Sequence, residues 1–281
     1  MSFYVSLSGL KGAQADLSAV SNNVANVNST AFKKSKAQFG DIFAAAPMQT
    51  THQVAGQGVR VQGITQQFTQ GTIETTDKTL DMAISGEGFF TVKGEDGTIS
   101  YTRNGAFSVD NDRYAVDTTG SRIQVFAVDP DTGEITTPPT NSTTPNDLTD
   151  LQIPTTYKCE ADGAQLTSVG VGKDGLVSAI YADGSTVYLG QVAMASFNSL
   201  EGLRQQGDAH WTSTVESGNA IIGTPNQGMF GAVNSGSLER SNVDITDELV
   251  QLIAAQRNFQ ANSKAIEAAN TLTTTIVNIR S

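Results

Sequence analysis

The chain has 281 residues and a net charge of −11, with charged residues at 16% and aromatics at 7%. That length can bury a sizeable core, while the acidic excess argues against nucleic acid as a partner, because phosphate binding needs clustered Lys and Arg. The single cysteine, Cys159, excludes an intramolecular disulfide, and no run of about 18 apolar residues offers a membrane-inserted helix.

The first segment, 1–28, is expected to be a helix. Phe3, Leu10, Ala13, Leu17, Val20, Val24 and Val27 follow a heptad-like seam, and Lys11, Gln14, Asp16, Ser18 and Asn22 lie opposite. The same segment lacks a basic leader and a continuous apolar region, so it is not expected to be a cleaved signal peptide. Asn22, Asn23, Asn26 and Asn28 crowd the helix end, where asparagine amides compete for backbone groups. Two readings stay open for them: a plain cap, or amides bridging to neighbouring backbone. Lys33, Lys34 and Lys36 form the one basic cluster, expected to be a solvated stretch after the helix.

Residues 29–70 are expected to form a connector. From there the periodicity changes to alternating runs broken by turn pairs. Asp96-Gly97 separates Phe89–Lys93 from Thr98–Thr102, a strong hairpin pattern. Asn104-Gly105, Asp174-Gly175 and Asp183-Gly184 mark further turns. Residues 71–128 and 169–242 are assigned to one β-rich body. The stretch 129–168, with Pro138, Pro139 and Pro145, is assigned as a short linker-like insertion.

The last segment, 243–281, is again a helix. Asp244 is its expected N-cap, with Asp247 in the first turn. Leu249, Leu252, Phe259, Ile266, Ala269, Leu272, Ile276 and Ile279 form its stripe, in steps that break a strict heptad. Six or seven apolar side chains on one helix are worth about 10–20 kcal/mol if fully buried. Ordering its backbone costs about 1–2 kcal/mol per residue. Neither terminal helix is stable on one narrow contact, so each needs further neighbours. The fold expected is α+β, with paired N- and C-terminal helices as a coiled-coil-like core enclosing a mainly antiparallel β body. The two ends of that body must lie close together.

Catalytic machinery is not evident. His52 and His210 sit in no metal spacing. Gly170 to Gly175 spells GxGxxG, but a hairpin pattern follows where a dinucleotide site needs a helix. Asp129 to Gly133 matches only the first half of a calcium loop. No enzyme activity, cofactor or metal is expected.

Several motifs together resemble the bacterial flagellar hook and rod (axial) protein family. Asn22, Asn23 and Asn26 followed by Phe32 resemble its N-terminal signature; Gly86, Gly88, Phe89 and Phe90, then Arg103 and Gly105, resemble two internal ones. Asn242, Val243 and Asp244, with Gln256 to Phe259, resemble the C-terminal one. Phe39-Gly40-Asp41-Ile42-Phe43 is more similar to the hook branch than to the rod branch. The short middle, in place of a large outer domain, is more similar to the distal rod.

This resemblance implies a structural subunit of the flagellar hook, a tubular joint passing torque from basal body to filament, with distal rod as the alternative. A secreted oligomeric β-rich binding module is a less favoured one. The terminal helices would line the tube, with Leu10, Ala13, Leu17, Val20, Val24, Val27, Leu249, Leu252, Phe259, Ile266, Leu272 and Ile276 as the polymer-core seam. The implied partners are the chain itself, rod and hook–filament junction proteins, the hook cap and the flagellar type III export apparatus. The implied location is the extracellular flagellum at the basal-body end.

Overall fold

The computed structural model describes residues 2–42, 56–136, 148–157 and 164–280. Cys159, His52 and the prolines of the expected linker, Pro138, Pro139 and Pro145, lie outside those ranges. The chain divides into two compact units.

The first unit comprises residues 1–28, 33–68 and 243–281. It contains helix α1 (Ser2–Ala25), a hairpin of β1 (Ser35–Asp41) and β2 (Val59–Gln66), and helix α2 (Ile245–Arg280). The hairpin, which falls within the stretch expected as a connector, packs on α1. Its approach is close: a β-carbon on Gly12 would touch both Val59 and Phe39. Ser8 Oγ also accepts the Val59 N–H at 3.2 Å. Asp244 caps α2, its Oδ1 accepting the Thr246 N–H at 2.8 Å, and Asp247 and Glu248 occupy the positive end of the helix dipole.

The second unit comprises residues 29–32 and 69–242. Its early strands are β3 (Ile73–Thr75), β4 (Met82–Ser85), β5 (Phe89–Lys93), β6 (Ile99–Thr102), β7 (Ser108–Val109), β8 (Ala115–Val116) and β9 (Arg122–Phe126). The short β10 (Thr149–Asp150) and β11 (Thr156–Tyr157) follow, then β12 (Ala164–Val171), β13 (Leu176–Tyr181), β14 (Thr186–Val192) and β15 (Met194–Ser196). The last are β16 (Arg204–Gly207), β17 (His210–Thr212), β18 (Ile221–Gly223), β19 (Ala232–Ser235) and β20 (Ser237–Glu239).

A 14-stranded sheet carries the order β11-β12-β13-β14-β9-β5-β6-β17-β16 along its main path. Pairing along that path is antiparallel, as alternating runs joined by tight turns require. The GxGxxG segment is the turn between β12 and β13, with the Gly175 N–H bonded to the Gly172 carbonyl at 2.9 Å. Asp183-Gly184 turns β13 into β14, with Gly184 at φ +80°. Two further ribbons, β19–β4 and β20–β3, bring the end of this unit back against its beginning. The core is Met82, Ile84, Phe90, Ile123, Met194 and Val233 with their neighbours.

Asn104-Gly105 is a tight backbone crossing and not a hairpin turn. The Gly105 carbonyl accepts the Met82 N–H at 2.9 Å, and a β-carbon on Gly105 would overlap the Met82 carbonyl oxygen. Because the obstacle is backbone, no side-chain rotation relieves it. We expect Gly105→Ala to lower stability by about 1–3 kcal/mol. Urea unfolding followed through Trp211, the one tryptophan, would measure it. An unchanged midpoint would show that this crossing does not constrain the body.

Candidate functional site

No cluster of metal-ligating side chains occurs among the described residues, and no described helix is long and apolar enough to cross a membrane. The features with functional content are the helix pair and the clamps that tie each unit together.

In the first unit, α1 and α2 run antiparallel. Asn23 meets Glu248 at 3.1 Å and Gly9 lies against Asn262, an offset of 14 residues along each helix. Between Glu248 and Ala269 of α2 only Ser263 is half-buried off the stripe, while Glu248, Leu252, Ala255, Phe259, Asn262, Ile266 and Ala269 are buried or half-buried along it. Those positions alternate steps of four and three, so the stripe toward α1 is a strict heptad. The stripe expected from sequence was broken because it took in the exposed Leu249, Leu272, Ile276 and Ile279 and left out Glu248, Ala255 and Asn262. Two of the seven positions are alanine, one is asparagine and one is glutamate. On α1, Ala13 and Val20 are buried and Leu10, Leu17, Val24 and Val27 half-buried. Lys11, Gln14, Ser18 and Asn22 face out, whereas Asp16 is half-buried. Burial raises the Asp16 carboxyl pKa, against the opposing pull of Lys36.

The offset between the helices leaves α2 longer than its partner. Level with Ser2 is about residue 269, so about 11 residues of α2 pass beyond α1, roughly 16 Å at 1.5 Å per residue. Every residue from 270 to 279 is exposed. Leu272, Ile276, Val277 and Ile279 are 62–81% accessible, a run of large apolar side chains left open among the described residues. Leu249 is also exposed, beside Ile245, Val250 and Ile253 at the other end of α2. Thus Leu252, Phe259 and Ile266 of the expected seam are brought toward α1, and Leu249, Leu272 and Ile276 are not.

Asn23 decides between the two readings of the asparagine cluster, because it bridges. It is buried, its Nδ2 donates to the Ser35 carbonyl at 2.8 Å and to Glu248 Oε2, and its Oδ1 accepts the Ser35 N–H at 2.8 Å. One side chain thereby fixes the end of α1 to the start of β1 and to α2. Asn26 Nδ2 donates to the Asn22 carbonyl one turn back, at 3.0 Å. The Asn23 tether also corrects the expectation for Lys33. It is 1% exposed and not solvated, two residues before the Ser35 that Asn23 holds. Lys36 alone of the three lysines is exposed, Lys34 being half-buried.

The remaining signature residues belong mostly to the second unit. Arg103 and Glu239 form a buried ion pair at 3.4 Å. Arg103 Nη2 also donates to the Gly86 carbonyl at 2.9 Å, and its guanidinium sits 5.4 Å from the centroid of the Phe89 ring. Gly88 adopts φ +125°, and a β-carbon there would strike the Met194 methyl. Phe89 and Phe90 are buried. Asn242 Nδ2 donates to the Thr69 carbonyl at 3.1 Å, while its N–H bonds the Phe32 carbonyl at 3.3 Å. In the first unit, Val243 is buried beside the Asp244 cap.

Three family models match in order along the chain. A basal-body rod protein model covers residues 3–33, the D1 domain model of flagellar hook protein FlgE/F/G covers 83–179, and the C-terminal model of basal-body rod FlgEFG proteins covers 234–279. The chain is 34% identical to the flagellar basal-body rod protein FlgG of Bacillus subtilis, spanning 99% of this chain and 98% of that one. The chain belongs to the flagellar hook and basal-body rod protein family. It is also 27% identical to the flagellar hook protein FlgE of Escherichia coli over the whole of both chains, in an alignment of 409 positions. The FlgG protein of Buchnera aphidicola from Acyrthosiphon pisum is 31% identical, over 96% of this chain and 95% of that one.

The structural role of Asn23 is open to measurement. Asn23→Ala removes the bonds that satisfy Ser35 and leaves the buried Glu248 carboxylate without its amide donor. We expect about 1–3 kcal/mol of lost stability, concentrated in α1. Amide exchange of residues 2–25 should rise while β5 and β9 stay protected. Unaltered protection of α1 would mean that the amide is not what holds the helix end.

Proposed function

We propose that the chain is a structural subunit that polymerises into the flagellar hook, passing torque from basal body to filament, and that it carries no enzymatic activity. The observation that carries this reading is the unpaired end of α2. Four large apolar side chains on the projecting turns would contribute about 6–12 kcal/mol if fully buried, and a lone helical end of that length is marginal in water. Homopolymer formation supplies the missing neighbours.

The threonines of the same turns suit a buried interface. Thr271, Thr274 and Thr275 hydroxyls donate to backbone carbonyls of their own helix at 2.8–2.9 Å, and Thr273 bonds the Ala269 carbonyl at 2.5 Å. Their desolvation therefore leaves no donor orphaned. In this reading the seam is Leu10, Ala13, Leu17, Val20, Val24 and Val27 with Leu249, Leu252, Phe259, Ile266, Leu272 and Ile276. Rod and hook–filament junction proteins, the hook cap and the flagellar type III export apparatus are its other partners.

Distal rod is the second reading, favoured by length. The hook relative needs 409 aligned positions, whereas the Bacillus rod relative needs 294. The hook is preferred on the Phe39-Gly40-Asp41-Ile42-Phe43 segment. Electron microscopy of the purified polymer separates them, because a joint gives curved tubes and a rod gives straight ones.

Leu272→Asp and Ile276→Asp test the carrying observation. Both positions are solvent-exposed in the subunit, so monomer stability should move by no more than about 0.5 kcal/mol. Polymer recovered by sedimentation should vanish, since a buried charge is strongly disfavoured. Tubes formed normally by both variants would end the assignment of this surface to assembly.

A further inference from the structure

His210 begins β17 and lies at the rim of the body, yet it is 5% exposed. Its Nε2 is 2.6 Å from Asp117 Oδ2 and its Nδ1 is 2.9 Å from the Asp208 carbonyl oxygen. Both neighbours are acceptors. A neutral imidazole has one N–H and one lone pair, so it can satisfy only one of them, whereas imidazolium donates to both.

Asp117, in the turn between β8 and β9, depends on this histidine. Its Oδ1 already accepts the Thr119 N–H at 2.8 Å, the Thr119 hydroxyl at 2.7 Å and the Ser121 N–H at 3.0 Å. His210 serves the other oxygen. The charged groups facing the ring are Asp117 from that turn and Asp208 from its own; from β6, the Thr102 hydroxyl donates to the Ala209 carbonyl at 2.8 Å.

His210 stands where a hairpin joins the sheet. β16 and β17 are linked by Asp208 and Ala209, both at positive φ (48° and 58°), and β16 ends the strand order. β17 meets β6 in two register pairs, His210 with Thr102 and Trp211 with Tyr101. Trp211 is buried, with its ring 5.7 Å from that of Phe89.

We propose that the His210–Asp117 pair is a proton-gated clip that holds the β16–β17 hairpin on β6, and that loss of its proton frees the hairpin and uncovers Trp211. The electrostatics give the pH window. Burial pushes the imidazole pKa down, but the bond and charge of Asp117 outweigh it and the net shift is upward. Burial pushes the Asp117 pKa up, and the bonds from His210 and Thr119 reverse that to a net decrease. A raised histidine pKa means that the stabilisation is complete below about 6.5 and is lost as pH rises through the higher folded value. A depressed Asp117 pKa means that its share is complete above about 3.9 and is lost as pH falls through the lower folded value. The clip is therefore closed in between and opens on the alkaline side.

The test uses the full-length monomer. Trp211 emission and hydrogen exchange of residues 204–212, corrected for the intrinsic pH dependence of exchange, would be followed from pH 5.5 to 9.5. We expect a red shift and at least a tenfold loss of protection in 204–212 along a one-proton curve, with β5 and β9 unchanged. His210→Gln should remove that pH dependence. If it fails to fold, the ring ¹⁵N shifts of the wild type, assigned with His52→Gln, answer the same question. Imidazolium persisting above pH 6.5 and disappearing along the same curve supports the clip. Constant protection in 204–212, the same transition in His210→Gln, or a neutral His210 throughout would overturn it.

Discussion

The second unit depends on one carboxylate. Glu239, at the end of β20 and fully buried, accepts the Gly71 N–H on Oε1 at 2.8 Å and pairs with Arg103 through Oε2. Its own carbonyl takes the Ala31 N–H at 2.8 Å. Three segments far apart in sequence, around residues 31, 71 and 103, are thus fixed to the strand that closes the unit. The neighbouring bonds repeat the pattern, with the Arg240 N–H on the Thr72 carbonyl and Asn242 on Phe32 and Thr69. A chain that leaves a helix, builds many strands and returns to a second helix needs its exit and entry side by side. Glu239 is the residue at which that closure occurs. Removing either partner of a buried pair leaves an uncompensated charge, which is why such a pair is costly to break even where forming it gains little.

The first unit has a smaller counterpart in Asn23, which uses a neutral amide for the same task. An amide both donates and accepts, so it can satisfy the N–H and carbonyl of Ser35 at once and still reach Glu248. Aspartate has the acceptors without the donors and would face Glu248 with like charge. The antiparallel register is marked at two places, by the hydrogen bond of Asn23 to Glu248 and by the close approach of Gly9 to Asn262. Gly9 admits that approach because a side chain would collide with the Asn262 amide.

What was legible in the sequence is what is local. The Asp244 cap, the Asp96-Gly97 and Asp183-Gly184 turns and the two helices are set by neighbours within a few residues, and all are present. The α+β class followed from the same signals. The clamps were not legible, because their partners lie far apart in the chain: 225 residues for Asn23 with Glu248, 136 for Arg103 with Glu239 and 93 for His210 with Asp117. The asparagine cluster signalled that something happens at the end of α1, yet not which asparagine acts. The heptad of α2 was hidden by composition, since the polar Glu248 and Asn262 and the small Ala255 hold positions that the expected stripe left out.

The proposed assembly would set conflicting demands on α2, exposed as a subunit and buried at its end in a polymer. Residues 270–279 contain no charged side chain. Burying them therefore carries no ion desolvation cost, in contrast to the several kcal/mol that each buried charge would add. The chain places its acidic excess elsewhere and lets a threonine run moderate the apolar turns in the subunit. Those hydroxyls bond back to the helix, so they hydrate in the free chain and need no new partner once covered. A surface of this kind can be exposed and buried with the same covalent structure, as the proposed assembly requires.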